Sequence, residues 1–398
     1  MSESLPVEEV LADLREALAA HGGAVLVAPP GAGKTTTVPL RLLDEPWLGG
    51  NKIVMLEPRR LAARAAARRM AEIIGDDVGG LIGYQTRDER RISSRTRIEV
   101  VTEGVLTRRL QSDPSLDGVG LVIFDEVHER NVPTDVGLAL LLDARQTLRP
   151  DLRVLAMSAT AQADTFARLL GDTDGPAPII ASDGRMHPVD IRYVARRRDD
   201  SLEATVATTV QTSLRTDDGD MLVFLPGIGE INRVRDHLLA TLPVDVTVQR
   251  LAGALPFDEQ DAALRPDARG RRRIVLSTDI AETSLTVDGV NVVIDAGLAR
   301  VPRLDQRTGL TRLTTVTTSR ASAEQRSGRA GRLRPGVAYR LWSRIEDSTR
   351  PAHLPPEISQ VDLCSVVLEV TAISRRTTTT VDSACTRHSS HAPRHRPR

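Results

Sequence analysis

Short apolar runs alternate along this chain with stretches of helical periodicity. In the first half the runs at 24–28, 52–57, 98–102, 120–125 and 153–158 predict strands, and 34–43 and the alanine- and arginine-rich 61–74 predict helices. Strands that alternate with helices build a parallel sheet covered on both faces, because each crossover must return over the sheet. Ligands on such sheets gather at the carboxyl ends of the strands. A loop rich in Gly, Asp and Pro at 171–178 and the turn-like Asp183-Gly-Arg-Met-His-Pro188 then interrupt the pattern.

The alternation resumes beyond that break, with strands predicted at 221–225, 244–251, 273–277 and 290–295 and a helix at 231–239. A second, similar sheet is expected. Between 298 and 316 the chain reads strand, turn, strand, with Asp305-Gln-Arg-Thr-Gly309 as the turn, which predicts a projecting β-hairpin. The mixed-sign runs at 87–91 and 196–200 read as solvated loops. After about residue 373 apolar periodicity ends in a tail of Arg, His, Ser and Thr, so disorder is expected across 373–398.

A chain of 398 residues can bury more than one core. Its 53 basic and 53 acidic residues balance, so a grip on nucleic acid through overall charge is excluded and any such contact must use a local groove. Aromatics at 2% make base stacking a poor main contact. Two cysteines, Cys364 and Cys385, form neither a disulfide framework nor a metal-ligand spacing. The N-terminus has no basic leader, and no apolar run reaches bilayer length, which leads to the expectation of a soluble, cytoplasmic protein without membrane contact.

Only Lys34 and Lys52 are lysines, so Lys34 stands out within Ala28-Pro-Pro-Gly-Ala-Gly-Lys-Thr35. That run lies between a predicted strand and a predicted helix, the setting of a phosphate-binding loop. Gly31, Ala32 and Gly33 would let backbone N–H groups close on phosphates, Lys34 would reach the outer phosphates, and Thr35 would ligate Mg²⁺, with Thr36 next on the helix. The strict pattern has Gly where this chain has Ala28. The strand at 120–125 ends in Asp125-Glu-Val-His128, which would place Asp125 to hold Mg²⁺ through water and Glu126 to take a proton from attacking water. A distant cluster, Gln325-Arg-Ser-Gly-Arg-Ala-Gly-Arg332, packs three arginines around two glycines and can complete a triphosphate site from another segment. Nucleotide is therefore expected in a cleft that closes.

Taken in order, Asp125-Glu-Val-His128, Ser158-Ala-Thr160, Ser277-Thr-Asp-Ile-Ala-Glu-Thr-Ser-Leu-Thr286 and the arginine cluster resemble the motif set of superfamily-2 DEAH-box helicases. Phe124-Asp-Glu-Val-His-Glu-Arg130, Gly297-Leu-Ala-Arg-Val-Pro302 and Ala321-Ser-Ala-Glu-Gln325 resemble the bacterial HrpB subfamily, and the likeness runs from about residue 5 to about 371. It implies an α/β protein of two tandem RecA-like domains, 1–182 and 183–345, with a β-hairpin in the second. It also implies the start of a winged helix at 346–372 and a C-terminus shorter than the family's. ATP and Mg²⁺ are the implied cofactors, with Thr35, Asp125 and Glu126 at the metal and His128 in the nucleotide site. Gln325 would orient attacking water, Arg329 and Arg332 would be arginine fingers, and Arg326 would lie nearer the phosphate and cleft side chains. Ser158 and Thr160 would couple nucleotide to the cleft. Single-stranded nucleic acid, with RNA favoured by the resemblance, would lie against Arg59, Arg60, Thr102 and Thr278 through sugar and phosphate. The hairpin around Asp305 to Gly309 would be the strand-separating or bookend element. No adenine-reading element precedes the phosphate loop, which implies broad nucleoside triphosphate use.

Three functions stay open on the sequence: an ATP-dependent helicase or translocase, a nucleic-acid-stimulated ATPase that does not unwind, and an inactive fragment. RNA against DNA is not decided by any residue.

Overall fold

The structure is a computed structural model that describes residues 5–159, 163–184, 187–197, 199–283 and 285–371. The expected tail, 373–398, and the coupling residue Thr160 lie outside the described residues. Among those described, the strands form an eight-stranded sheet, a six-stranded sheet and a two-stranded hairpin. The first sheet runs in the spatial order Arg90–Arg91, Ile82–Gln85, Ile98–Val101, Lys52–Leu56, Val119–Phe124, Arg153–Ser158, Gly23–Val27, Ile179–Ala181. Its neighbours are parallel except for the Arg90–Arg91 edge, which pairs antiparallel with Ile82–Gln85. The run read as a solvated loop at 87–91 thus adds two residues to the sheet while its side chains stay exposed.

Alternate side chains of these strands feed separate cores on the two faces, as a doubly covered sheet requires. Leu26, Ile53, Met55, Ile123 and Met157 enter one, and Val25, Val54, Leu56, Phe124 and Ala156 the other. Local chemistry sets the covering helices. Arg60–Ile74 buries an alanine face and stops at Gly75, whose left-handed backbone returns its N–H to the Ala71 and Glu72 carbonyls. Val132–Thr147 starts where the Asn131 side chain accepts the Thr134 N–H, with Pro133 in the first turn.

The chain passes to the second sheet between Ala181 and Val189. That sheet is parallel throughout, in the order Val246–Leu251, Arg272–Ser277, Asp220–Phe224, Val290–Asp295, Gly336–Arg340, Val189–Tyr193. The hairpin joins Leu298–Asp305 to Leu310–Thr317, closed where Asp305 accepts the Gly309 N–H at 2.8 Å and Gly309 takes a positive φ of 67°. Two RecA-like units in tandem are the result, as the motif order implied.

The units touch along the helix Arg60–Ile74. Leu61 and Ala62 join a core of the second unit that includes Leu251, Ala263 and Ile280. Arg64 stacks 4.4 Å above the Phe257 ring centroid, and Arg68 pairs with Asp261 at 2.9 Å. The last described stretch leaves the second unit and meets the first, where the Val132 N–H donates to a Glu357 carboxylate oxygen at 2.8 Å. It then reaches the hairpin, where the Leu304 N–H meets the Gln360 carbonyl at 2.7 Å. No helix among the described residues is long and apolar enough to cross a membrane.

Candidate active site

The phosphate loop follows the strand Gly23–Val27 and leads into the helix Lys34–Arg41. The Ala28 N–H holds the Ser158 carbonyl at 3.1 Å, fixing the loop to the neighbouring strand end. Gly31 and Gly33 have φ of 86° and 94°, a backbone that side-chain-bearing residues rarely adopt. A Cβ on Gly33 would also sit 2.9 Å from Leu5 and 3.1 Å from the Thr37 hydroxyl. Ala32 is buried, Thr36 half-buried, and the Lys34 ammonium is buried against the Ala28 carbonyl at 2.5 Å.

Asp125 ends the strand Val119–Phe124 and is fully buried. Its Oδ2 accepts the Thr35 hydroxyl at 2.5 Å, and its Oδ1 accepts the Glu126 N–H at 2.8 Å. Burial and the Glu126 charge push the Asp125 carboxyl up, against the pull of Lys34 and Thr35. The adjacent carboxyl moves the other way. Burial alone would raise Glu126, but Lys34, His128, Arg329 and Arg59 outweigh it and hold the group below the usual carboxylate range. Glu126 has a left-handed backbone at φ 52° and one buried oxygen, Oε2, that has no hydrogen bond among the described residues. Backbone strain and an unsatisfied buried acceptor thus coincide on this one residue.

Groups from the second unit close this side of the cleft. Gln325, on the helix Arg320–Gly328, puts its Nε2 2.8 Å from His128 Nε2, while His128 Nδ1 receives the Ala159 N–H at 3.3 Å and lies 3.5 Å from Glu126 Oε2. One imidazole thus joins the Glu126 turn, the backbone after buried Ser158 and the second unit. Arg332 reaches the phosphate loop itself, since a Cβ on Gly31 would lie 3.9 Å from its Cγ and Nε. Its Nη1 donates to Thr286 Oγ1 at 2.9 Å, and its buried Nε has no partner among the described residues. Burial lowers Arg332 to about 10, with Glu126 and Asp288 opposing.

The other two arginines sit differently. Arg329 spends its guanidinium on the carbonyls of Glu282, Thr283 and Leu285, so it clamps a loop of its own unit. Burial, and then Arg332, push it well down. Arg326, expected nearer the phosphate and cleft side chains, is instead buried inside the second unit. It donates to Glu282 Oε2 at 2.7 Å and Asp295 Oδ1 at 2.9 Å and stacks 4.9 Å from the Phe224 ring. The two carboxylates lie 44 and 31 residues away, where the cluster's own spacing cannot point to them.

The residues read as nucleic-acid contacts divide as well. Arg59 crosses between units, bonding the Asp279 carbonyl and lying 3.5 Å from the Asp279 carboxylate and 3.4 Å from Glu129. Burial would lower Arg59, but Glu129, Asp279, Glu282 and Glu126 prevail and raise it. Thr278 caps the short turn Asp279–Ala281 beside it. Arg60 is exposed, paired with Asp88 and 6.0 Å from the Phe257 ring. Thr102 is buried at the start of the helix Glu103–Ser112. Sequence reasoning gave Glu129 and Thr283 no role, although both lie inside quoted motifs. Thr283 Oγ1 donates to Glu129 Oε1 at 2.6 Å across the cleft.

A phosphate loop facing arginine and glutamine from a second RecA-like unit defines a two-domain P-loop nucleoside triphosphatase fold. Residues 12–169 match the DEAD/DEAH box helicase family and residues 202–334 the helicase conserved C-terminal domain. The chain carries a DEAD/DEAH box helicase domain followed by a helicase conserved C-terminal domain. It is 47% identical over 367 residues to the Escherichia coli K12 ATP-dependent RNA helicase HrpB, covering 92% of this chain and 45% of that protein. To the HrpA homolog of Haemophilus influenzae it is 36% identical over 376 residues, 93% of this chain and 28% of that one. The crystal structure of the E. coli DEAH/RHA helicase HrpB superposes with a TM-score of 0.86 at 46% identity, covering 93% of this chain and 46% of that one. The chain spans about half or less of the relatives it matches.

Proposed function

We propose that this chain hydrolyses ATP in the cleft between its RecA-like units and couples turnover to binding and remodelling single-stranded nucleic acid, with RNA as the natural strand. The observation that carries this reading is the meeting of Lys34, Thr35, Asp125 and the strained Glu126 on one side with Gln325 and Arg332 on the other. The relatives' names, ATP-dependent RNA helicases, support it.

The donor set also fits a hard divalent cation. Thr35 and Asp125 oxygens lie 2.5 Å apart, and Glu126 keeps an unsatisfied oxygen beside them. Thr35, Asp125 and, through water, Glu126 would hold Mg²⁺, which neutralises charge on the phosphates. Lys34 and the loop N–H groups bind the phosphates. Glu126 accepts a proton from the water whose oxygen bonds the γ-phosphorus as the bond to the ADP oxygen breaks. His128 and Gln325 orient that water, and Arg332 stabilises the charge that spreads over the transferring group. Arg329 must exchange the Glu282, Thr283 and Leu285 carbonyls for phosphate to act in the same way, which ties its role to movement of those carbonyls. Ser158 and Thr160 relay nucleotide state to the cleft. Arg59, Arg60, Thr102 and Thr278 are the proposed contacts to sugar and phosphate, and the hairpin is the proposed strand separator. Residues 1–182 and 183–345 are the proposed domains, with 346–372 the start of a winged helix.

The test is steady-state ATP hydrolysis with and without single-stranded RNA, beside strand displacement on a tailed duplex. Stimulation with displacement supports a helicase. Stimulation alone leaves a nucleic-acid-dependent ATPase, and a folded, nucleotide-binding sample without turnover contradicts the proposal.

A further inference from the structure

Glu129 ends the turn Val127–Glu129 that begins at the proposed base, and that turn is pinned between two left-handed residues, Glu126 and Arg130, each with φ of 52°. Its carboxylate does two things at once. Oε1 accepts the Thr283 hydroxyl of the second unit at 2.6 Å, and the two oxygens lie 3.4 and 3.5 Å from Arg59 Nη2 in the first. Arg59 also reaches the Asp279 carbonyl and carboxylate, so its guanidinium is engaged by protein acceptors where a nucleic-acid phosphate would compete. Thr283 and its neighbour Glu282 supply backbone carbonyls to Arg329. One side chain therefore stands between the arginine read as a nucleic-acid contact, the loop that holds the cleft arginine, and the turn that carries Glu126.

We infer that Glu129 is a positioning residue that couples the two ligands: a phosphate that draws Arg59 away leaves Glu129 bonded to Thr283 alone, and the Glu282 and Thr283 carbonyls then shift and free Arg329. The inference rests on the function proposed above and goes beyond it by naming the junction. Linkage makes it measurable without turnover. If nucleic acid and nucleotide bias the same two-state element, each changes the other's affinity by the same factor.

The test uses fluorescence anisotropy of a labelled oligouridine against the whole chain, with and without a saturating non-hydrolysable ATP analogue, and hydrolysis assays on the same samples. Thr283→Val keeps shape and removes the donor. It is expected to leave nucleotide-free RNA affinity within about twofold of the parent and to shrink the coupling factor by about threefold or more, with Thr283→Ser restoring it. Glu129→Gln keeps an acceptor for Thr283 and loses the charge that holds Arg59. It should tighten nucleotide-free RNA binding by about two- to fivefold, the scale of one partly exposed ion pair, and Arg59→Ala should abolish that gain.

A Thr283→Val chain with the parent's coupling factor, or a Glu129→Gln chain that binds RNA more weakly, overturns the inference. So does a Thr283→Ser variant that fails as Thr283→Val does. A parent that binds both ligands independently overturns it too, whatever its turnover. A parent that couples binding yet never hydrolyses ATP contradicts the proposed function instead, and the binding factors still decide the role of Glu129.

Discussion

Arg326 offers the sharpest separation between a helicase arginine that faces nucleotide and one that holds the fold. Its guanidinium is 1% exposed, bonds Glu282 and Asp295 at 2.7 and 2.9 Å, and adds the Leu298 carbonyl at 3.2 Å. Asp295 is as deeply buried, and its remaining side-chain hydrogen bond among the described residues comes from the Gly297 N–H at 2.8 Å. Arg326→Met preserves much of the volume while stranding a buried carboxylate and a partly buried one. Breaking a buried pair from one side costs about 3–5 kcal/mol, because the surviving charge loses its counter-ion without regaining water. For a unit of this size, each kcal/mol lowers the melting temperature by about 2–4 °C, so the second unit should melt about 6–20 °C earlier. Differential scanning calorimetry or urea unfolding followed by circular dichroism measures this directly. Adding Asp295→Asn and Glu282→Gln removes the stranded charges and should recover at least half of the loss, since the three groups form one network. An Arg326→Met chain within about 1 kcal/mol of the parent would refute the reasoning.

Other consequences follow from the same geometry. Glu103 is pushed up to about 7, first by burial and then by Glu129 and Glu357, against hydrogen bonds from Thr134 and Asn131. A carboxyl raised in the folded state contributes stability that is complete below its ordinary value of 4.5 and fades as pH rises towards 7. Glu103→Gln should therefore flatten the loss of urea midpoint between about pH 5 and about pH 8, and a parallel slope in both chains would contradict the assignment. Arg332→Ala should lower kcat by at least about tenfold with a smaller change in nucleotide affinity, and Arg332→Lys should not restore it, because an ammonium lacks the guanidinium fork. Arg64→Ala with Arg68→Ala removes the stacking on Phe257 and the pair to Asp261, so small-angle scattering should show a larger radius of gyration.

The first sheet was legible because its central strands are unbroken apolar runs, and the phosphate loop because glycines and a lone lysine punctuate one of them. Val189–Tyr193 gave no such signal. It is an edge strand with half-buried, alternating side chains, and its partner Gly336–Arg340 was hidden by arginine and tyrosine that become buried only on folding. The arginine cluster showed its spacing but not its division of labour. Arg326 turns inward because Phe224, Glu282 and Asp295 converge on it, a convergence that depends on strand order in the second sheet. Arg59 to Asp279 and Glu129 to Thr283 are contacts between units, separated by 220 and 154 residues, and local pattern carries no information about them.

The account centres on Glu126 as the base of a cleft shared by both units. The direct measurement is single-turnover ATP hydrolysis by Glu126→Gln beside the parent, with ATP binding and RNA binding measured on the same protein. The expected result is hydrolysis reduced by at least about a hundredfold with both affinities retained, since proton abstraction is lost while the phosphate loop is untouched. Turnover near that of the parent in a folded Glu126→Gln chain would contradict the central claim.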